Sequence, residues 1–138
     1  MMKILVVDDE PDYRYLVTVG LGLLGHQVGE AVDGVTACEV AAELLPDVIL
    51  VDYVLVGENG LSLLPKLRGA SPQSAVVLHT VEREHTTPFI GHPAGPDGLV
   101  EKGQSPSQLA VALEGIVSYH RSRLPVSDVD RHHRLPPA

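Results

Sequence analysis

The apolar residues of this chain follow two alternating patterns, short unbroken runs and stripes that recur every three or four positions. The runs predict five strands, at residues 3–9, 27–31, 47–52, 74–80 and 98–102. Uninterrupted runs of this length are typical of strands buried on both faces of a parallel sheet. The run at 27–31 is less apolar than the others, which favours a position at the edge of the sheet.

The first two segments between predicted strands each contain apolar residues at helical spacing and residues typical of helix ends. Pro11 suits the first turn of a helix, and Gly25 suits the position after its end. The predicted buried stripe of this helix consists of Leu16, Val19, Gly20, Leu23 and Leu24. That of the second helix, closed by Pro46, consists of Ala37, Val40, Ala41 and Leu44. Two glycines, Gly20 and Gly22, are each expected to weaken the first helix by up to ~1 kcal/mol relative to alanine.

Two further helices are predicted. Leu61, Leu64 and Leu67 mark one that Asn59 can cap, and Pro65 inside it predicts a kink or an early end because proline removes a backbone hydrogen bond. The other begins with a complete N-terminal signature of cap, first-turn proline and reciprocal glutamine, at Ser105, Pro106 and Gln108. Its predicted stripe consists of Leu109, Ala112, Leu113, Ile116 and Val117.

Strands that alternate with helices predict an α/β fold with a doubly wound, five-stranded parallel sheet. Residues 81–97 contain three prolines and no helical stripe, so the fourth helix expected by alternation should be short or unwound. The last residues have no periodicity. We therefore expect a domain at residues 1–122 and a disordered tail at 123–138.

Composition narrows the class of protein. The formal net charge of −8 argues against direct binding to nucleic acid, which needs a basic face. The single cysteine, Cys38, cannot form an intrachain disulfide, which fits a reducing cytoplasm, and its apolar neighbours predict a small buried hydrophobe. No apolar run approaches the ~20 residues of a membrane helix, and the first run is too short for a signal peptide. A cytoplasmic location without membrane contact is expected.

Polar side chains end four of the apolar runs, with Asp8 and Asp9 after the first, then Asp52, Thr80 and Lys102. Right-handed crossovers bring these strand ends to one edge of the sheet, where open α/β sheets bind ligands. Three carboxylates repel one another unless a cation lies among them, and hard oxygen ligands suit Mg²⁺. Because carboxylates can attack phosphoryl groups, the set predicts Asp52 as a nucleophile with Mg²⁺, a hydroxyl and an ammonium around it.

This constellation resembles the response-regulator receiver domains of two-component signalling. The resemblance rests on the acidic pair, Asp52 after its apolar strand, Thr80 and Lys102, at spacings that agree with that family. Gly60, eight residues after Asp52, and the stretch from Lys102 to Pro106 also match. It covers residues 3 to about 120 and implies a flavodoxin-like sheet of strand order 2-1-3-4-5.

The resemblance implies how a metal would be held. Asp9 and Asp52 would bind Mg²⁺ directly, Asp8 would bind it through water, and the backbone carbonyl of Val54 would supply a further ligand. These roles are carried over from the family and are expectations for this chain.

The resemblance also implies a reaction and its partners. Asp52 would take a phosphoryl group from the phosphohistidine of a sensor histidine kinase or a histidine phosphotransfer protein. Thr80 would move onto the phosphoryl group, and Lys102 would pair with it. The chain would be a stand-alone regulator, a monomer or weak homodimer that acts on an output protein. It would not be an enzyme beyond its own phosphorylation and dephosphorylation.

Four positions depart from the family pattern. Val56 stands where a proline is usual, which should loosen its loop, and His79 stands where an apolar residue precedes the threonine. The histidine is expected to be a satisfied rim or core residue, the alternative being a pH-sensitive contact. Leu99 replaces the aromatic residue that often turns inward as the threonine moves. Residues 85–97 replace the fourth helix, which suggests order–disorder switching or an unusual partner surface.

Two alternatives compete with a phosphorylated receiver. The missing aromatic and the interrupted helix favour a receiver-like protein-interaction module that works without phosphorylation. A Mg²⁺-dependent phosphatase with an aspartate nucleophile has related chemistry, but it needs an Asp-x-Asp pair after the first strand, which Asp8-Asp9-Glu10 does not supply.

Overall fold

The structure is a computed structural model that describes residues 1–81 and 94–124. Its strands are β1 (Lys3–Val7), β2 (Gln27–Ala31), β3 (Val48–Asp52), β4 (Val54–Leu55), β5 (Glu58–Asn59), β6 (Ala75–Thr80) and β7 (Gly98–Glu101). Its helices are α1 (Pro11–Leu23), α2 (Gly34–Leu44), α3 (Gly60–Ala70) and α4 (Pro106–Arg123). None of these four helices is both long enough and apolar enough to cross a bilayer.

The main sheet confirms the predicted fold class. Five parallel strands lie in the order β2-β1-β3-β6-β7, which is the predicted order 2-1-3-4-5 because β6 and β7 are its fourth and fifth strands in the chain. A small antiparallel hairpin, β4–β5, was not predicted from the sequence. The predicted fourth helix and tail fall largely on residues 82–93 and 125–138, which lie outside the described residues.

The core has two halves because successive residues of a strand face opposite sides of the sheet. On one side Ile4, Val6 and Leu50 pack with the buried faces of α1 and α4. On the other side Leu5 and Ile49 pack with α2 and α3. Every residue of β3 is buried, so the strand that ends at Asp52 forms the centre of the molecule.

The predicted inner face of α1 was wrong. Its buried residues are Val17 and Leu21, and Tyr13 packs against the same cluster. The predicted Leu23 is 83% exposed, and Leu16 is also exposed. The helix is thus rotated by about one residue, ~100°, from the expected orientation. The inner stripe has a spacing of four residues and begins at Tyr13, which packs toward the carboxyl edge of the sheet.

Helix α3 continues through Pro65 to Ala70, so of the predicted kink or early end, the early end was wrong. The predicted cap is present, since the Asn59 side chain accepts a hydrogen bond from the Ser62 N–H at 2.9 Å. Pro65 lies on the exposed face, and the opposite face buries Leu63, Leu64 and Leu67. Burial of three leucines, at about 1.5–3 kcal/mol each, outweighs one missing hydrogen bond.

Gly20 has a packing role that propensity does not reveal. A Cβ built on Gly20 would overlap the ring of Pro106, the first residue of α4, whereas a Cβ on Gly22 would meet nothing within 4 Å. Pro106 lies between Ser105 and Gln108, the two residues of the predicted capping box, which the structure confirms. Close contact between α1 and α4 therefore requires a glycine at position 20.

These two glycines make a matched pair of substitutions. We expect Gly22→Ala to raise the free energy of unfolding by roughly 0.5–1 kcal/mol, because alanine is the better helix former. Gly20→Ala should lower it despite the same gain, by roughly 1–3 kcal/mol, because the added methyl overpacks the contact with Pro106. Urea unfolding of both variants measures this, and equal effects of the two substitutions would contradict the packing role.

Candidate functional site

Three carboxylates meet at the carboxyl edge of the sheet. Asp8 and Asp9 follow β1 directly, and Asp52 is the last residue of β3, the neighbouring strand. One carboxylate oxygen from each of them lies within 4.8 Å of the other two. Asp8 and Asp52 are buried, and Asp9 is half-buried. The predicted acidic cluster is therefore present, and two of its three carboxylates are shielded from solvent.

Lys102, the residue directly after β7, joins this cluster. Its Nζ lies 3.0 Å from Asp52 Oδ2 and 3.2 Å from Asp8 Oδ2, so one ammonium bridges two of the carboxylates. The backbone brings it there, because the Lys102 N–H donates to the Thr80 carbonyl at 2.7 Å. Thr80 itself is buried at the end of β6. The structure thus brings the four charged residues together and places Thr80 on the strand between Asp52 and Lys102.

Backbone N–H groups fix one oxygen of each carboxylate. The three bonds are Glu10 N to Asp8 Oδ1 at 2.9 Å, Val56 N to Asp9 Oδ2 at 2.8 Å and Val54 N to Asp52 Oδ1 at 3.1 Å. Hydrogen bonds to an ionised acceptor are shorter and stronger than neutral ones. The carboxylates are therefore held in a defined arrangement before any ligand arrives.

The loop after Asp52 has Val56 where the family usually has a proline, and a hydrogen bond from Val56 orders it. The N–H that Val56 donates to Asp9 is a group that proline lacks. The β4–β5 hairpin further orders this segment, with Gly57 at a φ of 82° in the turn between the two strands. A loosened loop was expected here, and the structure instead shows a hairpin tied to the acidic cluster.

The start of α3 lies directly against Asp52. A Cβ built on Gly60, the first residue of this helix, would lie 2.8 Å from the Asp52 carbonyl oxygen and 2.9 Å from the Leu78 side chain. The Gly60 N–H donates to the Tyr53 carbonyl at 2.8 Å. Only glycine allows this approach, which gives a physical reason for Gly60 in the motif.

The charges at this edge perturb one another. Burial raises the pKa of Asp52 above its ordinary value, against the opposing effect of the Lys102 hydrogen bond and charge. Burial alone would lower the pKa of Lys102, but the hydrogen bonds and charges of Asp52 and Asp8 outweigh it, and its pKa lies above its ordinary value. The two pKa shifts indicate that the ionised groups are partly desolvated and that negative charge exceeds positive charge in the cluster.

The donor set fits a hard divalent cation. Three carboxylates face one ammonium among the described residues of this cluster, so a second positive charge would reduce their repulsion. Oxygen ligands from two or three carboxylates, with water completing the sphere, are typical of Mg²⁺ sites. Asp8, Asp9 and Asp52 could hold such an ion. The backbone of Val54, predicted to add its carbonyl, adjoins the cluster through its N–H bond to Asp52.

His79 and Tyr13 form a second group beside the cluster. His79 is 3% exposed, and burial, with the charge of Lys102, lowers its pKa to about 3. It is therefore the predicted buried histidine, and it is neutral near physiological pH in this structure. Tyr13 was missed from the sequence, because its inner position depends on the helix face that was assigned wrongly. The four-residue spacing of Tyr13, Val17 and Leu21 was the sequence pattern that could have identified the buried face of α1.

Comparison with known proteins identifies a family for this chain. The model of the response regulator receiver domain matches residues 4–114. Among curated relatives, PilH of Pseudomonas aeruginosa is 30% identical over 120 residues, which cover 86% of this chain and 99% of PilH. The probable transcriptional regulatory protein TcrX of Mycobacterium tuberculosis is 33% identical over 116 residues. The chain spans about half the length of TcrX and of several other matching regulators.

Solved structures agree with the sequence comparison. The chemotaxis response regulator CheY4 of Vibrio cholerae superposes with a TM-score of 0.73 at 27% identity, covering 84% of this chain and 98% of that one. NtrX of Brucella abortus, solved in complex with ATP, gives a TM-score of 0.77 at 27% identity, covering 88% of this chain and 28% of NtrX. The likeness therefore extends over most of this chain.

The buried histidine makes a prediction about stability and pH. The unfolded chain binds a proton on His79 below pH 6.5, whereas the native state does not until about pH 3. Stability from this group is therefore complete above pH 6.5 and falls as pH decreases, by up to about 1.4 kcal/mol per pH unit. We expect His79→Leu to remove this part of the dependence of the free energy of unfolding on pH. Urea unfolding of both proteins between pH 7.5 and 5 measures it, and parallel curves would contradict the assignment.

Proposed function

This chain belongs to the response regulator receiver domain family of two-component signalling, and we propose that its receiver, residues 1–122, accepts a phosphoryl group on Asp52. Receivers of this family are signalling proteins that interact with histidine kinases or histidine phosphotransfer proteins. The proposed donor is a phosphohistidine on such a partner. The proposed outcome is a change of conformation that an output protein detects.

The observation that carries the proposal is the Lys102 ammonium between Asp8 and Asp52. A carboxylate that only stabilised the fold would not need two further carboxylates close to it, since crowding them raises the free energy of the ionised cluster. Titratable groups with shifted pKa values that converge on one edge, as Asp52 and Lys102 do here, are typical of functional sites. A site that must accept and release a dianionic group gains from charges that are held in advance.

The reaction would be a displacement at phosphorus. An Asp52 carboxylate oxygen forms a bond to the phosphorus atom, and the bond from phosphorus to the donor imidazole nitrogen breaks. The electron pair of that bond remains on the nitrogen, which then takes a proton. The product is an acyl phosphate. Burial favours Asp52 as the attacking group, because the effect that raises its pKa also makes the ionised carboxylate more basic.

Mg²⁺, when bound by Asp8, Asp9 and Asp52, would supply positive charge that offsets the phosphoryl oxygens. The remaining roles belong to the chain itself. Lys102 would exchange its contact with Asp52 for one with a phosphoryl oxygen. The Thr80 hydroxyl would donate to another phosphoryl oxygen and report that the group is present. The Val54 N–H, which already bonds to Asp52 Oδ1, orients the carboxylate.

Signal transfer beyond the site must differ from the usual family route. Leu99 occupies the position of the common switch aromatic, and it packs partly buried against the core on the side of α2 and α3. A change at Thr80 would therefore be transmitted without rotation of an aromatic ring at this position. The acidic composition supports a protein partner rather than direct contact with nucleic acid.

Phosphorylation is tested with a small donor. We expect incubation with Mg²⁺ and acetyl phosphate to add one phosphoryl group, which intact mass spectrometry detects as an acid-stable and base-labile adduct. Asp52→Asn should abolish it, because the amide has nearly the same size and no nucleophilic oxygen anion. Asp12→Asn is the matched control, since it removes one exposed carboxylate of α1 outside the cluster. Absence of the adduct from wild-type protein with acetyl phosphate and with a phosphohistidine donor would favour the phosphorylation-independent interaction module.

Metal binding is tested through stability. A ligand that binds only the native state stabilises it, by about 1.4 kcal/mol at ten times its dissociation constant. We expect MgCl₂ to raise the melting temperature more than NaCl of the same ionic strength. Asp9→Asn should reduce this difference, because it removes one ligand while keeping the side-chain size. An equal response of the wild type and the variant would contradict a site at these carboxylates.

A further inference from the structure

Lys102 has a third neighbour that the phosphoacceptor chemistry does not require. Its Nζ lies 4.6 Å from the ring centroid of Tyr13, over the face of the ring. We propose that Tyr13 is a positioning residue for the reaction at Asp52, which holds Lys102 in place and is itself held by His79. This inference rests on the proposed function. It concerns a residue of α1 that lies 90 positions away in sequence from the loop it holds.

Tyr13 holds the lysine from two sides. Its ring attracts the ammonium through a cation–π contact. Its hydroxyl oxygen accepts a hydrogen bond from the Gly103 N–H at 3.2 Å, which fixes the backbone directly after Lys102. Gly103 has a φ of 101°, a left-handed conformation that favours glycine and turns the chain at this point. Both the charged end and the backbone end of the lysine are therefore tied to α1.

His79 completes the arrangement beneath Tyr13. The two rings lie 5.5 Å apart, and His79 Nε2 is 3.5 Å from the Tyr13 hydroxyl oxygen, the outer limit of a hydrogen bond. Since His79 is neutral, Nε2 can accept the phenol hydrogen when the ring proton is on Nδ1. The two hydrogen bonds can then form together, with Gly103 N–H donating to Tyr13 and Tyr13 O–H donating to His79.

An aromatic ring is suited to this task because it does not compete with the phosphoryl group. A fourth carboxylate at this place would hold the ammonium strongly and would add negative charge where a dianionic group must bind. The ring face attracts the ammonium more weakly and carries no net charge. Lys102 can therefore be kept near Asp52, with its flexible four-carbon stem restrained, and still turn toward a phosphoryl oxygen.

The test compares two substitutions at Tyr13 with the same two at Tyr15. Tyr15 lies on the same helix and is 70% exposed, outside the buried face that carries Tyr13. Tyr13→Phe keeps the ring and loses the hydroxyl bonds, whereas Tyr13→Leu loses both. The first readout is the rate of phosphorylation at saturating Mg²⁺, measured against acetyl phosphate concentration. The second is the ring-current shift of the Lys102 ε-methylene protons in the unphosphorylated protein, which requires no reaction.

We expect Tyr13→Leu to lower the maximal rate roughly three- to tenfold, since one cation–π contact and its restraint correspond to that range. Tyr13→Phe should recover part of the rate and keep the upfield shift of the Lys102 protons, which Tyr13→Leu should lose. The Tyr15 variants should match the wild type. His79→Leu should behave like Tyr13→Phe, because it removes a partner of the hydroxyl and leaves the ring.

The inference is overturned if Tyr13→Leu reacts at the wild-type rate, even where its melting temperature falls, because Tyr13 would then be only structural. It is also overturned if the Lys102 protons show no ring-current shift in the wild type. Failure of the proposed function gives a different result, in which wild-type protein forms no adduct while the ring-current shift and its loss in Tyr13→Leu are still observed. If Tyr13→Leu does not fold, the rate of Tyr13→Phe against Tyr15→Phe decides, with equal rates counting against a positioning role.

Discussion

The excess of negative charge at one edge of the sheet is the constraint on which the rest of this structure depends. Asp8, Asp9 and Asp52 come from two adjacent strands, and Lys102 is the ammonium that bridges two of them. Such a cluster is unfavourable when it is buried, unless each group is held and the charge can be balanced. The apolar sheet, the backbone donors and the close packing of α3 at Gly60 all serve to hold these groups.

The same constraint gives a reason for two uncharged side chains beside the site, His79 and Tyr13, while the Arg14 guanidinium nearby donates to the Asp8 backbone carbonyl rather than to a carboxylate of the cluster. His79 lies next to Thr80 and is kept uncharged by burial and by Lys102. Tyr13 contacts the ammonium through a ring face, and backbone N–H groups rather than side-chain cations bind one further oxygen of each carboxylate. A second lysine or arginine bound to these carboxylates would cancel part of this negative charge permanently. Neutral donors leave the charge available to a metal ion and a phosphoryl group.

Sequence reasoning succeeded where the information is local. Unbroken apolar runs locate the five main strands to within about two residues, and Asn59 and Ser105 cap their helices as predicted. The convergence of Asp8, Asp52 and Lys102 followed from their positions at the ends of parallel strands that right-handed crossovers connect. Their chemical roles, and that of Thr80, remain proposals, as do the fourth helix and the tail, which lie mainly on residues outside the described part of the chain.

The predictions that failed depend on contacts between distant segments. The inner face of α1 is set by Pro106 against Gly20 and by Tyr13 beneath Lys102, and neither contact is visible in the spacing of apolar residues. Pro65 is tolerated because buried leucines stabilise its helix. Val56 differs from the usual proline in having an N–H, and its partner, Asp9, lies 47 positions earlier in the sequence.

A crystal structure of the protein with Mg²⁺ and beryllofluoride, a mimic of the phosphoryl group, would test the phosphoacceptor role of Asp52 most directly. We predict beryllium bonded to an Asp52 carboxylate oxygen, with Lys102 and Thr80 on its fluorides and Mg²⁺ held by Asp9 and Asp52. Beryllofluoride on another carboxylate, or no adduct while Mg²⁺ occupies the site, would contradict the role proposed for Asp52.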